Sequence, residues 1–367
     1  LMKRIAWVVG LWLAACGGGA AAGGAQPSSP GSAGTSAGSG ATAATSGAPV
    51  DLDCGDFSTC ALTDGGGVRC WGRDRDGELG DGGGEDRAKP VAVVGVSGAN
   101  ALALASQFAC ARLADKTVSC WGTGKLGEGG PRERARPGAL GGIAGVDELA
   151  ASGLVACARS GGSIRCWGGE VGAPPGGAFS HVSAGFSHAC ALDGAGAPTC
   201  WGKGDWAPGG AFAKPSLKDA VALATGDRHA CAITKEKKVV CWGANDAGQL
   251  GTAPALEPVK KPVMVPGVAD VTQLVAGEAS TCALHEDGTV TCWGANGEGE
   301  LGLGRESNDE RPTKLSGLSD VKRVCLATAH GCALTGGGKI LCWGSNSFGQ
   351  LGDGTKERRF TPAAVAW

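Results

Sequence analysis

Residues 229–251 read HACAITKEKKVVCWGANDAGQLG, and most of the chain repeats this pattern. In each unit a cysteine precedes a Cys-Trp-Gly triplet by nine or ten residues. The triplets begin at Cys70, Cys120, Cys166, Cys200, Cys241, Cys292 and Cys342. The earlier cysteines are Cys60, Cys110, Cys157, Cys190, Cys231, Cys282 and Cys332, which recur after 33 to 51 residues. Seven copies at this period predict an array of small, similar structural units.

Each unit reads as four short strands. A Pro-led segment such as Lys89-Pro90-Val91 comes first, followed by an alternating segment such as residues 221–224, the Cys-Ala-Leu strand and the Cys-Trp-Gly strand. Turn residues such as 286–288 join the last two strands into a hairpin. Proline fits an edge strand, where its missing N–H is not needed. The pattern predicts an all-β, seven-bladed propeller of four-stranded antiparallel blades over residues 50–367.

The two ends of the repeat region predict how the ring closes. Residues 50–52 start at the alternating strand of the first unit, and residues 361–365 form a Pro-led strand with no unit after it. We expect this C-terminal strand to pair in the first blade, which removes two exposed edges and favours a monomer. A Gly-(Glu/Gln)-Leu-Gly turn closes four units but is absent from the third and fourth. Those two blades are expected to be trimmed.

The repeats resemble those of the regulator of chromosome condensation family. The units at residues 229–251 and 282–302 carry the resemblance most clearly, and it extends over residues 50–367. The resemblance implies a seven-bladed propeller. It also implies guanine-nucleotide exchange on a small GTPase. An exported protein would not encounter such a cytosolic GTPase. Bacterial propellers that look like this family include inhibitors of β-lactamases.

The first sixteen residues predict export and lipidation. Basic residues Lys3 and Arg4 precede a short apolar run, which ends in Leu13-Ala-Ala-Cys16 and resembles a bacterial lipobox. Residues 1–15 are therefore predicted to be a signal peptide, with Cys16 as the lipidated residue that binds the membrane. Residues 16–49 are almost wholly Gly, Ala, Ser, Thr and Pro, which predicts a disordered tether. The expected location is the cell envelope, on the outer membrane at its periplasmic face or the cell surface.

The 17 cysteines can all be assigned. The two cysteines of each unit face each other across a hairpin, within disulfide range, and export places them in an oxidising compartment. The predicted pairs are Cys60–Cys70, Cys110–Cys120, Cys157–Cys166, Cys190–Cys200, Cys231–Cys241, Cys282–Cys292 and Cys332–Cys342. The two left over, Cys54 and Cys325, belong to neighbouring blades of a closed ring and point to opposite faces of those blades, so we predict a bridge across the seam. Buried free thiols are the alternative.

The sequence predicts no catalytic, cofactor or metal site. The cysteine spacing lies within hairpins and lacks a Cys-x₂-Cys pair, which argues against zinc. His188, His229 and His330 occupy one repeated position, which indicates packing or hydrogen bonding. The tryptophans of the triplets recur as strictly, which indicates contact between blades. The formal net charge of −2 gives no basic excess for nucleic acid.

The loops that follow the triplets vary between units, and variable loops on a repeated frame are where a propeller recognises a partner. The candidate partner-binding residues are Arg73, Asp74, Arg75, Lys203, Asp205, Trp206, Asn245, Asp246, Ser345, Asn346 and Ser347. The leading hypothesis is a lipid-anchored, non-enzymatic propeller that binds a protein or another macromolecule. The alternatives are an inhibitor of an extracytoplasmic enzyme, nucleotide exchange, and a lyase or glycosidase.

Overall fold

The computed structural model describes residues 47–126, 133–203 and 214–367, and within them the chain forms 26 β-strands in seven antiparallel sheets. The fold class is as predicted, an all-β propeller with one sheet per repeat. In these residues there is no helix with the length and hydrophobicity needed to cross a membrane. The predicted signal peptide, the lipidation at Cys16 and the tether up to residue 46 lie outside the described residues.

The strand bounds follow the repeats. The first two sheets contain β1 (Pro49–Cys54), β2 (Ser58–Thr63), β3 (Val68–Gly72), β4 (Arg87–Ala92), β5 (Ala99–Leu104), β6 (Phe108–Leu113), β7 (Val118–Thr123) and β8 (Glu133–Ala139). The third and fourth contain β9 (Glu148–Ser152), β10 (Val155–Ser160), β11 (Ser163–Gly168), β12 (Phe179–Ala184), β13 (His188–Asp193) and β14 (Pro198–Gly202). The fifth and sixth contain β15 (Ala220–Thr225), β16 (His229–Thr234), β17 (Val239–Asn245), β18 (Ala255–Met264), β19 (Val271–Ala276), β20 (Ser280–His285), β21 (Val290–Asn296) and β22 (Ser307–Lys314). The seventh contains β23 (Val321–Leu326), β24 (His330–Thr335), β25 (Ile340–Gly344) and β26 (Arg359–Ala364).

The alternating strand is the innermost strand of each blade. The first strand of each sheet contacts the first strand of the next, and β23 contacts β1, which closes the ring. Side chains form hydrogen bonds between some of these inner strands. The Asp53 carboxylate accepts the Leu104 N–H at 2.8 Å, and the Gln273 amide pairs with both the N–H and the carbonyl of Val324 at 3.1 and 2.9 Å. Between β1 and β5, and between β19 and β23, a side chain therefore joins neighbouring inner strands.

The Pro-led strand belongs to the preceding unit, where it forms the outer edge. β4, which carries Pro90, pairs with β3, and β22, which carries Pro312, pairs with β21. This position leaves the N–H-free residue at the edge of the ladder, as proline requires. The pairing of the C-terminal strand differs from the prediction for the same reason. β26 pairs with β25 in the seventh sheet, and the first sheet is already complete with β1 to β4.

The ring is closed by contacts across the seam between the seventh and first blades. Arg323 forms an ion pair with Asp51 at 3.1 Å between the inner strands. The Trp71 indole donates to the Gln350 carbonyl at 2.9 Å, and Trp367 packs edge-on against Trp71 at 6.4 Å between ring centroids. The C-terminal residues thus reach the first blade through side chains, whereas their strand remains in the seventh.

The third and fourth sheets have three strands each among the described residues, in agreement with the expected trimming. The Gly-(Glu/Gln)-Leu-Gly turn of a unit also makes a contact with the next blade. Four triplet tryptophans, Trp71, Trp121, Trp293 and Trp343, donate through Nε1 to the carbonyl of the Glu or Gln in the preceding unit's Gly-(Glu/Gln)-Leu-Gly turn. Trp167, Trp201 and Trp242 follow units without that turn, and within the described part of the chain their buried Nε1 atoms have no hydrogen-bond partner.

Candidate partner-binding face

One end of the propeller collects the loops that the sequence analysis singled out. The residue after each triplet donates its backbone N–H to the loop that follows the inner strand of the same blade. This contact is 2.9 Å from Arg73 to Phe57, 2.8 Å from Ala244 to Arg228 and 2.8 Å from Ser345 to Ala329. The inner-strand loops and the triplet loops therefore lie side by side. We call this end of the ring the loop face.

Three of the candidate residues are buried and organise their own loops. Asp74, Asn245 and Asn346 are at most 1% exposed. In each, a side-chain oxygen accepts the N–H of the residue five positions later, at 2.9 to 3.0 Å. Their role is to hold the turn, which differs from the predicted contact with a partner. Asp and Asn commonly make such local bonds to the backbone.

The other described candidates are wholly or partly accessible. Arg75, Lys203, Asp246 and Ser347 are exposed, and Arg73 and Ser345 are partly exposed. Lys203 is paired with Glu170, and Asp246 with Arg228. Asp205 and Trp206 lie outside the described residues.

Aromatic rings and guanidinium groups meet on the loop face where the first and seventh blades adjoin. Phe57 and Phe348 pack edge to face with centroids 5.5 Å apart. Arg73 lies over Phe57 at 5.2 Å, and Arg75 lies over Phe348 at 5.6 Å. Arg73 is held by Asp76 and by the buried Glu78, whereas Arg75 is exposed and forms no ion pair in the described chain. We call these four residues the stacked-arginine patch.

Carboxylates gather around the propeller axis on the same face. Asp56, Asp227 and Glu278 occupy one repeated position, two residues before the histidine position, and all three line a small cavity at the axis. Asp56 accepts hydrogen bonds from the hydroxyls of Ser106 and Thr328, which hold that position in two other blades. The sequence analysis missed these residues. The repeat offered a signal, since three of the seven units place an acid there.

The acidic groups at the axis disfavour one another's charge. Burial, followed by the neighbouring Asp56 and Glu278 carboxylates, raises the pKa of Asp227 to about 7. Burial, followed by Asp56, also raises the pKa of Glu278. Arg228 opposes both shifts, but its guanidinium is bonded to Asp246. The axis is therefore an anionic region with little neutralising charge of its own.

The repeated histidines have a structural role. The Thr59 hydroxyl donates to the Gln350 carbonyl at 3.0 Å, so it must accept from His330 Nε2 at 2.8 Å. The same arrangement joins His229 to Thr281 at 2.9 Å in another seam. Both rings therefore carry a proton on Nε2. Burial lowers the pKa of His229 and of His330 to about 4. These rings are fully buried and link neighbouring blades.

The structure brings together all eight predicted cysteine pairs. The hairpin cysteines have Cα atoms 4.0 to 4.1 Å apart, and those of Cys54 and Cys325 are 5.5 Å apart across the seam. Ligand atoms of Cys54, His330 and Cys332 lie within 4.8 Å of one another. Both of those sulfurs are in disulfides, and a thiolate is the form that binds metal. This cluster therefore does not form a metal site in the oxidised protein.

Comparison with known proteins identifies the repeat. Residues 50–78, 220–249, 271–300 and 328–350 match one model of the regulator of chromosome condensation (RCC1) repeat, and residues 238–284 and 287–334 match a second. These parts of the chain therefore contain repeats of this family. A Mus musculus protein, "Regulator of chromosome condensation", is 44% identical over 57 residues, which cover 16% of this chain and 14% of the mouse protein.

Solved structures of the same fold are more distant in sequence. Prp20p from Saccharomyces cerevisiae, whose structure is described together with its binding to Gsp1p and histones, is 21% identical with a TM-score of 0.72. The alignment covers 88% of this chain and 87% of that one. Human WBSCR16 is 20% identical with a TM-score of 0.71, over 82% of this chain and 95% of that one. At identities of 20 and 21%, the similarity shows a shared fold and nothing more.

Proposed function

We propose that the chain is a non-enzymatic protein-binding module that recognises its partner with the loop face. The stacked-arginine patch is the observation that supports this most directly. Arg75 is exposed, is stacked on Phe348 and forms no ion pair with any described residue, so it can bind a partner with little loss of side-chain freedom. Arginine and aromatic residues are common among the energetic centres of protein interfaces. The similarity in fold to a protein described as binding Gsp1p and histones agrees with this proposal.

Crosslinking in intact cells that express the full chain tests the loop face. A photoreactive residue at Ser347, which is exposed beside the patch, should crosslink to a defined protein. Introducing Arg75→Glu should lower the yield about tenfold or more, because losing a charge-assisted contact and adding a repelling charge each disfavour binding. Lys322→Glu reverses an exposed charge elsewhere and should leave the yield unchanged. Equal yields from the parent protein and its Arg75→Glu and Lys322→Glu variants would refute binding through this patch.

The module is further proposed to be anchored in the cell envelope through lipid on Cys16. The lipobox-like ending at Cys16 and the uncharged segment after it support this. Mass spectrometry of the processed N-terminus should find an acylated cysteine, and Cys16→Ser should release the chain from the membrane fraction. An unmodified Cys16 in a membrane-free protein would refute the anchor.

A second candidate, a lyase or glycosidase, is favoured by one observation. A carboxyl with a pKa near 7 beside other carboxylates, such as Asp227, can act as a general acid at neutral pH. Screening the full chain and its Asp227→Asn variant against polysaccharides would test this. Cleavage that depends on Asp227 would replace the binding proposal with an enzymatic one.

A further inference from the structure

Beside the axis, the loop face contains a cleft of about 390 Å³ shared by the fourth, fifth and sixth blades. Phe186, Asp227 and Glu278 line it, one from each blade, together with Arg228 and Asp246. The three residues hold the same repeated position, which brings them to one rim although they are 41 and 51 residues apart in sequence. We call this the acidic cleft. It is concave, open to solvent and unlike the stacked-arginine patch in charge.

The polar groups of the cleft divide into satisfied and unsatisfied ones. Asp246 receives the Arg228 guanidinium and, at 3.0 Å, the Gln249 amide. Asp227 and Glu278 form no ion pair and no side-chain hydrogen bond within the described chain. Asp56 adds a third carboxylate at the adjoining axis. Four acidic side chains therefore face a single guanidinium, which already pairs with Asp246, and the cleft has its full excess of negative charge above pH 7, where Asp227 is ionised.

The aromatic wall gives the cleft a second property. Phe186 is 38% exposed, although a phenylalanine is usually buried, and it stands where the other blades have Asp, Glu, Ser, Thr or Gly. An aromatic ring attracts a cation to its face, and the methylene stem of a long cationic side chain packs well on it. A small inorganic cation has no apolar stem to pack on this wall. Ring and carboxylates together therefore fit an organic cation on an apolar stem.

We propose that the acidic cleft binds a lysine or arginine side chain presented by the partner protein. This inference rests on the proposed function, since it names the chemistry with which the loop face recognises its partner. The cation lies between the Asp227 and Glu278 carboxylates, and its stem packs along Phe186. With the stacked-arginine patch on the opposite side of the axis, the loop face is bipolar, so a partner must offer a basic residue to one side and an acidic or aromatic one to the other.

The cleft can be tested without knowing the partner. The probe is N-acetyl-lysine methylamide, titrated into the ¹⁵N-labelled full chain at low ionic strength and followed by amide chemical shifts. N-acetyl-norleucine methylamide, which has a similar stem and no charge, is the matched probe. We expect saturable shifts at Phe186, Asp227 and Glu278 with the lysine probe, at a dissociation constant in the millimolar range, as for a single ion pair with stacking. Norleucine should produce no saturable shift there.

Variants distinguish the cleft from a general charge effect. Asp227→Asn with Glu278→Gln should raise the dissociation constant at least about tenfold, because charge-assisted bonds are lost. Glu236→Gln with Asp320→Asn removes the same two charges from surface residues outside the loop face and should change it less than twofold. Phe186→Ala should weaken binding several-fold, whereas Phe186→Tyr should preserve it.

Several results would overturn the inference. These are equal responses to the lysine and norleucine probes, unchanged affinity in the Asp227/Glu278 variant, or shifts at these amides with calcium chloride but not with the lysine probe. The last would assign a metal site instead. The test is independent of the crosslinking experiment. A specific lysine response without any crosslinked protein would refute the proposed function alone, and a crosslinked protein without a lysine response would refute this inference alone.

Discussion

The bridge between Cys54 and Cys325 should stabilise the ring more than any hairpin disulfide. A disulfide destabilises the unfolded chain by an amount that grows with the loop it closes. The seam bridge joins residues 271 apart in sequence, whereas Cys282 and Cys292 are 10 apart. Chain entropy then gives about 5.6 kcal/mol for the seam and about 2.7 kcal/mol for the hairpin. Replacing Cys54 and Cys325 by alanine should therefore cost roughly twice as much as replacing the hairpin pair.

Chemical denaturation of the two double-alanine variants measures the difference. Both variants remove a buried cysteine pair, so the cavity contributions are similar and largely cancel in the comparison. We expect the seam variant to unfold with a free energy about 3 kcal/mol lower than that of the hairpin variant. Alkylation of the parent protein before reduction, followed by mass spectrometry, must first show that none of the four thiols is free.

Two outcomes would refute the reasoning. If both variants lose the same stability, the seam bridge does not act by constraining a long loop. If Cys54 or Cys325 is alkylated in the unreduced protein, the bridge is not formed, and the ring is held by the Arg323–Asp51 ion pair and the Trp71–Gln350 hydrogen bond instead.

Three further predictions concern the repeated positions. Trp293→Phe should cost about 1 kcal/mol more than Trp242→Phe, because only the Trp293 Nε1 donates a hydrogen bond; equal losses in urea unfolding would contradict this. Gly302→Ala should destabilise the protein more than Gly317→Ala, since both have positive φ but only a Cβ at Gly302 would meet an indole ring, at 2.9 Å; equal unfolding midpoints would contradict the steric argument. In the folded protein the pKa of His330 is lowered from 6.5 to about 4. As the pH falls, this histidine is therefore protonated in the unfolded chain before it is protonated in the folded one. The stability present above pH 6.5 is lost as the pH falls towards 4. Relative to His330→Gln, the parent should lose up to about 1.4 kcal/mol more per pH unit in that interval, and parallel pH profiles would refute the assignment.

The repeat predicts the fold because each unit places the same residue types at the same points. The cysteine pair predicts a hairpin register, and Cys282 does lie opposite Cys292. The Pro-led strand was harder to place, since it lies between two units and its sequence fits an edge in either. Only the pairing of β4 with β3 assigns it to the preceding blade. The C-terminal strand is also Pro-led, so its predicted pairing in the first blade was wrong for the same reason.

The loop face was predicted less well, for a physical reason. Sequence variation after the triplets drew attention to Asp74 and Asn245, but their side chains turn inward to satisfy backbone N–H groups. A polar residue in a loop can serve the backbone or a partner, and the sequence does not distinguish the two. The acids at the axis were missed because Asp56, Asp227 and Glu278 are far apart in sequence, and only the closed ring brings them together.

Function in this propeller is expected where the backbone repeats and the side chain does not. Positions filled by the same residue in every blade, such as the triplet tryptophan, are fixed by contact with the next blade and cannot vary without a packing cost. The position that holds Asp227 is different, because its side chain faces the axis and the solvent. Acids, hydroxyls and Phe186 all occur there on the same frame. A site that tolerates such differences without loss of the fold is free to match a partner, and this is why we expect the partner's chemistry to be read from the inner rim of the loop face.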